Sequence, residues 1–176
     1  MKRLIALAAA LLATLGTTLV STPSTAGAST LPAWRDTALT WTNPLARDPR
    51  VVDLTYGAHP RYDRVVIHVR GAIPSGHINY ARRFFFDGSG ERVPIKGRSG
   101  LRIDLSPARA HTLAGASLYD GPRIARPRLD TLKALAFTGD FEGHVSFALA
   151  LTHRADYRVF WLHHPQRLVI DVRHSR

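Results

Sequence analysis

Apolar and polar residues alternate along most of the chain beyond residue 50, which is the pattern of β-strands that bury one face. Stretches rich in Gly, Pro, Asp and Ser separate the alternating runs, as they do between short strands. In the first half of this region the pattern predicts strands at 51–56, 65–69, 77–81, 93–95 and 101–105.

The C-terminal part of the chain gives the strongest prediction, because its residues pair well in a single register. Four consecutive strands are predicted at 132–137, 144–151, 156–162 and 167–172. If residues 163–166 form a hairpin loop, Leu162 faces Arg167 and Arg158 lies opposite Asp171. The same register assembles one apolar face from the last two strands: Tyr157, Val159, Trp161, Leu168, Ile170 and Val172. An apolar face and a charge pair from one register favour an antiparallel hairpin.

Residues 106–130 show no sustained period. A short helix at 107–113 is compatible with the sequence, and we interpret the rest as a long ordered loop that covers an open end of a sheet. With at least eight short strands and at most this one short helix, the sequence predicts an all-β fold, either a sandwich or a partly closed barrel. We favour an antiparallel β-sandwich.

The N-terminus has the organisation of an export signal. Met1-Lys2-Arg3 is positively charged, residues 4–20 are largely apolar, and Ala26-Gly27-Ala28 fits a signal peptidase site. The alternative is a membrane anchor that is retained. We disfavour it because about 17 residues are marginal for crossing a bilayer of about 30 Å.

We therefore divide the chain into a signal peptide at 1–28, a linker at 29–50 and a single domain at 51–176. The linker contains Trp34 and Trp41, which are unusual in a disordered segment, so we expect part of it to pack back onto the domain. A domain of this length can bury roughly two-thirds of the surface that its unfolded chain exposes.

The chain contains no cysteine, which excludes disulfides, cysteine-based zinc sites and lipid modification of an N-terminal cysteine. Its formal net charge is +11, and Lys2, Lys96 and Lys133 are its only lysines. Outside a cell, an excess of arginine favours anionic partners such as wall polymers or lipid headgroups. The alternative is a surface that is merely well solvated.

Two stretches carry a family resemblance. Residues 51–66 read VVDLTYGAHPRYDRVV, a strand followed by a Gly-x-His-Pro turn, an Asp-Arg pair and a second strand. Residues 137–143 read FTGDFEG, and residues 165–172 read PQRLVIDV. Together these stretches resemble the AMIN-like domains of secreted actinobacterial proteins, and the C-terminal one is shared with the wider AMIN group found beside N-acetylmuramoyl-L-alanine amidases.

The resemblance implies a β-sandwich that binds or localises to the cell envelope, with peptidoglycan as the ligand of AMIN proper. AMIN-like domains themselves have no settled activity. Because the chain ends at Arg176, we expect no catalytic domain to follow. The missing N-terminal cysteine suggests a released protein or one held by wall binding alone.

The first candidate ligand site lies at 57–64. His59, Arg61, Tyr62 and Arg64 would place hydrogen-bond donors and an aromatic face on one loop, which suits sugar rings and the carboxylates of a wall peptide. The alternative interpretation is a structural turn, because Gly, Pro and Asp need no ligand to occupy one.

The second candidate is a basic sheet face that includes Arg158 and Arg167 and grips an anionic glycan. The alternative is that Arg158 and Asp171 form an ordinary cross-strand pair on the solvent side, which would contribute less than about 1 kcal/mol. Arg167 and Asp171 share that face but are about 13 Å apart along the strand.

No catalytic residue, metal site or cofactor is predicted. The nine histidines are scattered and fit no zinc motif, and residues 87–91 supply too few oxygens for calcium. Asp140 and Glu142 resemble solvated turn residues more than the paired acids of a glycosidase, which need a cleft. The run Arg82-Arg83-Phe84-Phe85-Phe86 is interpreted as strand packing with flanking charges, because no nucleic-acid-binding motif accompanies it.

The sequence thus predicts a secreted, envelope-associated domain that binds wall glycan or an anionic polymer without catalysis. No nucleic-acid partner is expected, nor any membrane span after signal cleavage. One alternative is a small wall hydrolase with an unrecognised site. Another is an accessory protein that binds a second secreted protein through an exposed strand edge.

Overall fold

The computed structural model describes residues 31–175, in which ten strands form two antiparallel sheets and no helix occurs. The predicted signal peptide lies outside the described residues. Within them, no helix is long and apolar enough to cross a membrane. The strands are β1 (Leu39–Trp41), β2 (Arg50–His59), β3 (Tyr62–Arg70), β4 (Gly76–Tyr80), β5 (Ser99–Leu105), β6 (Ile124–Ala125), β7 (Leu132–Phe141), β8 (His144–Leu151), β9 (Tyr157–Leu162) and β10 (Arg167–Arg173).

The two sheets differ in size and in the source of their strands. The larger has six strands in the order β1-β4-β5-β8-β7-β6, and the smaller has four in the order β2-β3-β10-β9. The four predicted C-terminal strands therefore divide between the sheets, β7 and β8 in one and β9 and β10 in the other. The β-sandwich prediction is confirmed.

The core lies between the sheets and consists of alternate side chains from nearly every strand. In β3, for example, Val65, Ile67 and Val69 face the core. Burial of one face by each strand is what the period-two pattern predicts. The largest fully buried side chains include Tyr157, Phe147, Leu54, Ile67, Ile78, Leu101, Ile103, Leu105, Leu132, Leu135, Leu149 and Leu151.

A third layer covers the other side of the six-stranded sheet, where β7 and β8 present alanines. Phe84, Val93 and Ile95 from the segment 81–97 pack against Ala134, Ala136, Ala148 and Ala150. The prediction of a strand at 93–95 is wrong, because Val93 and Ile95 are buried as members of a covering segment. Phe84 is buried, Phe86 is partly buried against the same cluster and Phe85 is exposed, so the basic-aromatic run packs through two of its three rings.

The C-terminal hairpin has the predicted register. Residues 163–166 form the loop, Leu162 pairs with Arg167 and Arg158 pairs with Asp171. The neighbouring prediction of a loop at 57–64 is wrong. Strand β2 continues to His59 and β3 begins at Tyr62, so only Pro60 and Arg61 connect them. Ladder hydrogen bonds on both sides of this tight turn leave little room for a loop.

Residues 106–130 remain largely irregular, and no helix forms at 107–113. Backbone N–H groups of this segment donate to residues distant in sequence rather than within a helix. The N–H of Ala108 donates to the carbonyl of Gly143, and that of Ala110 donates to the carboxylate of Asp140. The segment is thus tied to the β7–β8 hairpin, in agreement with a covering role.

Part of the segment expected to be a linker packs on the domain. β1 pairs with β4 at the edge of the larger sheet, and the Trp41 ring lies edge-on to Trp161 with 5.7 Å between ring centroids. Upstream of β1, Arg35 forms a bridge with Tyr157 in β9. These contacts bring Trp34 close to the smaller sheet.

Candidate functional site

The side of the four-stranded sheet that faces away from the core, here called the outer face, collects most of the predicted ligand residues. His59, Tyr62, Arg64, Arg158 and Arg167 all lie on it, and Arg61 lies in the β2–β3 turn at its margin. The outer face includes Thr55, Gly57, His59, Tyr62, Arg64, Val66, His68, Arg158, Phe160, Leu162, Arg167, Val169, Asp171 and Arg173.

At the centre of the outer face, one carboxylate binds two guanidiniums. The Asp171 side chain is fully buried. Arg64 donates to it from Nε at 2.6 Å and from Nη2 at 2.9 Å, and Arg158 donates from Nε at 2.8 Å. The hydrogen bond to Asp171 raises the pKa of Arg64 above its ordinary value. The predicted Arg158–Asp171 pair therefore exists, but the prediction that it is solvated is wrong.

The energetics of this cluster follow from its burial. The Arg64 and Arg158 side chains are 24% and 11% exposed, so neither ion pair is an ordinary surface bridge. Removing one partner of a buried pair costs several kcal/mol, because the charge left behind has lost both its partner and its water. Since two cations meet one anion, the cluster keeps a net positive charge.

Aromatic rings cover the two guanidiniums. The guanidinium carbon of Arg158 lies 4.4 Å from the centroid of the Trp34 ring and 5.0 Å from that of Tyr62, and that of Arg64 lies 5.3 Å from Phe160. His59 stacks on Tyr62 with 4.5 Å between ring centroids. Contacts of this kind are favourable and exclude water from the cations. The rings of Trp34, His59, Tyr62 and Phe160 are here called the aromatic platform, which lies over the Asp171 cluster.

Arg61 and Arg167 are placed differently from the other two arginines. Arg61 is exposed in the β2–β3 turn, and Arg167 lies opposite His68 and Leu162 at the other end of β10 from Asp171. Neither forms an ion pair with a described residue. The structure therefore brings His59, Tyr62, Arg64 and Arg158 together and leaves Arg61 and Arg167 as separate cations on either side.

Asp140 and Glu142, which were considered as a pair for glycoside cleavage, lie in different environments. Asp140 accepts hydrogen bonds from the Ala110 N–H at 3.0 Å and from His111 Nδ1 at 2.7 Å, whereas Glu142 is exposed at the hairpin tip. Asp140 is thus a structural acceptor that anchors the covering segment. Among residues 31–175, no group of three or more His, Asp or Glu side chains is arranged to bind a metal ion.

Three residues around the Asp171 cluster were not predicted as ligand residues: Trp34, Phe160 and Arg173. Alternation within β9 puts Phe160 on the same side as Arg158, so the correct register already contained that signal. Arg173 lies on the outer face of β10, and its guanidinium carbon lies 5.6 Å from the Trp34 ring. No local pattern places Trp34 there, because its position depends on the pairing of Arg35 with Tyr157.

Comparison of the sequence with protein families identifies the domain. The family model of the AMIN-like domain matches residues 49–174, which includes nine of the ten strands. No curated protein matches the sequence.

Proposed function

We propose that this chain, which belongs to the AMIN-like domain family, binds peptidoglycan at the cell envelope through the outer face of its four-stranded sheet. Family membership supports an association with peptidoglycan. The observation that carries the proposed site is the aromatic platform, in which Trp34, Tyr62 and Phe160 lie over guanidiniums held by Asp171.

The chemistry of the platform fits a glycan that carries peptides. Sugar rings present apolar C–H faces, which pack against aromatic rings. The carboxylates of the attached peptides are acceptors for arginine. Arg61 and Arg167 flank the platform and can provide those donors without breaking the Asp171 cluster. Asp171 already holds Arg64 and Arg158 in place in the free protein. Binding of a ligand therefore loses little side-chain entropy at these two residues.

We further propose that the domain acts without catalysis and outside the cytoplasm. Asp140 supports a non-catalytic role, since its carboxylate is occupied by a backbone N–H and by His111. The positively charged N-terminus and apolar segment that follows support export.

Co-sedimentation with insoluble peptidoglycan tests the proposal. The purified protein should pellet with the wall at about 50 mM salt and lose part of that binding at about 500 mM, because screening weakens the arginine–carboxylate contacts more than the stacking. No pelleting at low salt would refute wall binding, and the appearance of soluble wall fragments would refute a non-catalytic role.

A pair of double variants identifies the surface. Arg61→Gln with Arg167→Gln removes two charges beside the platform. Arg92→Gln with Lys96→Gln removes two exposed charges from the segment over the other sheet. The first variant should bind wall about tenfold more weakly, as expected for the loss of two exposed charge-assisted contacts, and the second less than about twofold more weakly. Equal losses would indicate non-specific charge attraction.

A further inference from the structure

A second, separate site lies at the ends of β4, β5 and β8 in the larger sheet. A cavity of about 420 Å³, here called the basic pocket, is lined by Tyr80, Ala81, Arg82, Arg98, Ser99, His153 and Arg154. No residue of the outer face lines it. The basic pocket is therefore distinct from the outer face.

The register of the larger sheet creates the pocket. Ser99 pairs with Leu151, and the N–H of Arg98 donates to the carbonyl of Leu151 at 2.9 Å, which brings the start of β5 beside residues 153 and 154. On the other side of β5, the N–H of Ala81 donates to the carbonyl of Gly100 at 3.0 Å. Three segments distant in sequence thus contribute cationic side chains to one concave surface.

The lining is strongly positive. Arg82, Arg98 and Arg154 contribute guanidiniums and His153 an imidazole, whereas no carboxylate lines the cavity. Among the described residues, none of these three arginines forms an ion pair. Asp156 and Asp36 interact electrostatically with Tyr80, but neither carboxylate lines the cavity. An unneutralised group of cations in a cavity attracts an anion.

One of the three arginines is held in place without a carboxylate. The Arg154 guanidinium carbon lies 3.7 Å from the centroid of the Tyr80 ring, and Nη2 donates to the carbonyl of Asp36 at 2.7 Å. Tyr80 is itself fixed, since its hydroxyl donates to the carbonyl of Ala155 at 2.6 Å. Arg82 and Arg98 are exposed at the mouth. The pocket therefore combines a fixed cation with two that can close on a ligand.

We propose that the basic pocket binds a phosphate ester carried on a larger polyol or sugar. Guanidinium forks match phosphate oxygens, and a phosphate offers acceptors to three arginines at once, whereas a carboxylate offers two oxygens. The cavity is far larger than a phosphate group, so it also has room for the unit to which the phosphate is attached.

A neighbouring cavity provides room for a ligand that extends beyond the basic pocket. It has a volume of about 370 Å³, shares His153 and Arg154 with the basic pocket and extends to Arg173. Arg173 is also in contact with the Trp34 ring of the platform. Asp156 lines this second cavity, which makes it less positive than the first. The two cavities together form a path along which further units of a phosphorylated polymer can lie.

NMR titration of the purified protein with three small probes tests the inference. Glucose 1-phosphate should shift the backbone amide signals of Arg98, Ser99 and His153. Glucuronic acid should do so about tenfold more weakly, and glucose not at all up to about 20 mM. Absence of shifts with glucose 1-phosphate, or tighter binding of glucuronic acid, would overturn the proposal.

An arginine next to the pocket but outside its lining provides the control. Arg82→Gln combined with Arg98→Gln should weaken glucose 1-phosphate binding by about tenfold or more, whereas Arg83→Gln, just outside the lining, should change it less than about twofold. All three side chains are exposed, so the variants should fold. Equal effects from Arg83→Gln would overturn the site. Unchanged pelleting of the pocket variant with phosphate-free peptidoglycan would show that wall binding is separate.

Discussion

Asp171 has no access to solvent, yet it forms ion pairs with two arginines from neighbouring strands, Arg64 on β3 and Arg158 on β9. The carboxylate therefore joins three of the four strands of the smaller sheet through side chains as well as through backbone hydrogen bonds. Its burial makes this contribution much larger than that of a surface pair.

Asp171→Asn should lower the free energy of unfolding by about 3 kcal/mol, because two partly buried guanidiniums would lose their counter-charge. Asp156→Asn is the matched control. Asp156 is 42% exposed and lies 3.4 Å from Arg173, so its loss should cost less than about 0.5 kcal/mol. Urea unfolding of the two variants measures both values. Similar costs would contradict the buried-cluster interpretation.

Two core tyrosines give the protein a predictable response to alkali. Burial raises the pKa of Tyr80 to about 12 and that of Tyr157 to about 12, and their hydroxyls donate to the carbonyls of Ala155 and Thr37. The folded state therefore retains these protons where the unfolded state, with a pKa of about 10, releases them. This contribution to stability is fully present below about pH 10 and is lost as the pH rises to about 12.

The midpoint of urea unfolding should accordingly decrease between about pH 10 and 12. In the double variant Tyr80→Phe with Tyr157→Phe the decrease should be smaller. Part of it should remain, because burial also raises the pKa of Tyr119. An equal decrease in the double variant would show that the tyrosines are not responsible.

At the scale of elements, the segment 81–97 forms a third layer that packs on the larger sheet. Phe84 packs over Gly100, where a Cβ would clash with the Phe84 ring and with the carbonyl oxygen of Leu149. Alanines around it leave further space for Val93 and Ile95. Small residues on the sheet and large ones on the covering segment are therefore complementary.

Phe84→Ala should reduce the free energy of unfolding by about 3 kcal/mol, since it opens a cavity between this segment and the sheet. Phe85→Ala is the adjacent control, because Phe85 is 44% exposed and should lose less than about 1 kcal/mol. Denaturant unfolding of the two variants distinguishes a packed layer from a loosely attached loop, for which both costs would be small.

Strand-level predictions succeeded where one face of an element is buried and its register is set locally. Alternation in β9 and β10, joined by a short loop, was enough to pair Arg158 with Asp171. The same pattern wrongly predicted a strand at Val93 and Ile95, because a covering segment buries the same residue types as a strand. Alternation also could not reveal the second ion pair of Asp171, because Arg64 comes from β3, a strand distant in sequence.

At the scale of the whole molecule, the two sheets expose different surfaces. The smaller sheet presents the aromatic platform, whereas the larger sheet is covered by its third layer and has the basic pocket at the ends of β4, β5 and β8. One edge of the smaller sheet is also occupied, because Arg35 bridges to Tyr157 in β9. Binding of another protein by strand addition at that point would require this bridge to open.

Mapping a soluble peptidoglycan fragment, a disaccharide with its peptide, by amide NMR shifts tests the central claim most directly. The account predicts shifts on β3, β9 and β10 around Tyr62, Arg158 and Phe160, and their loss in Trp34→Ala. The basic pocket should respond only weakly, because the fragment carries carboxylates but no phosphate. Shifts confined to the larger sheet or the loops, or no shifts at about 20 mM fragment, would contradict it.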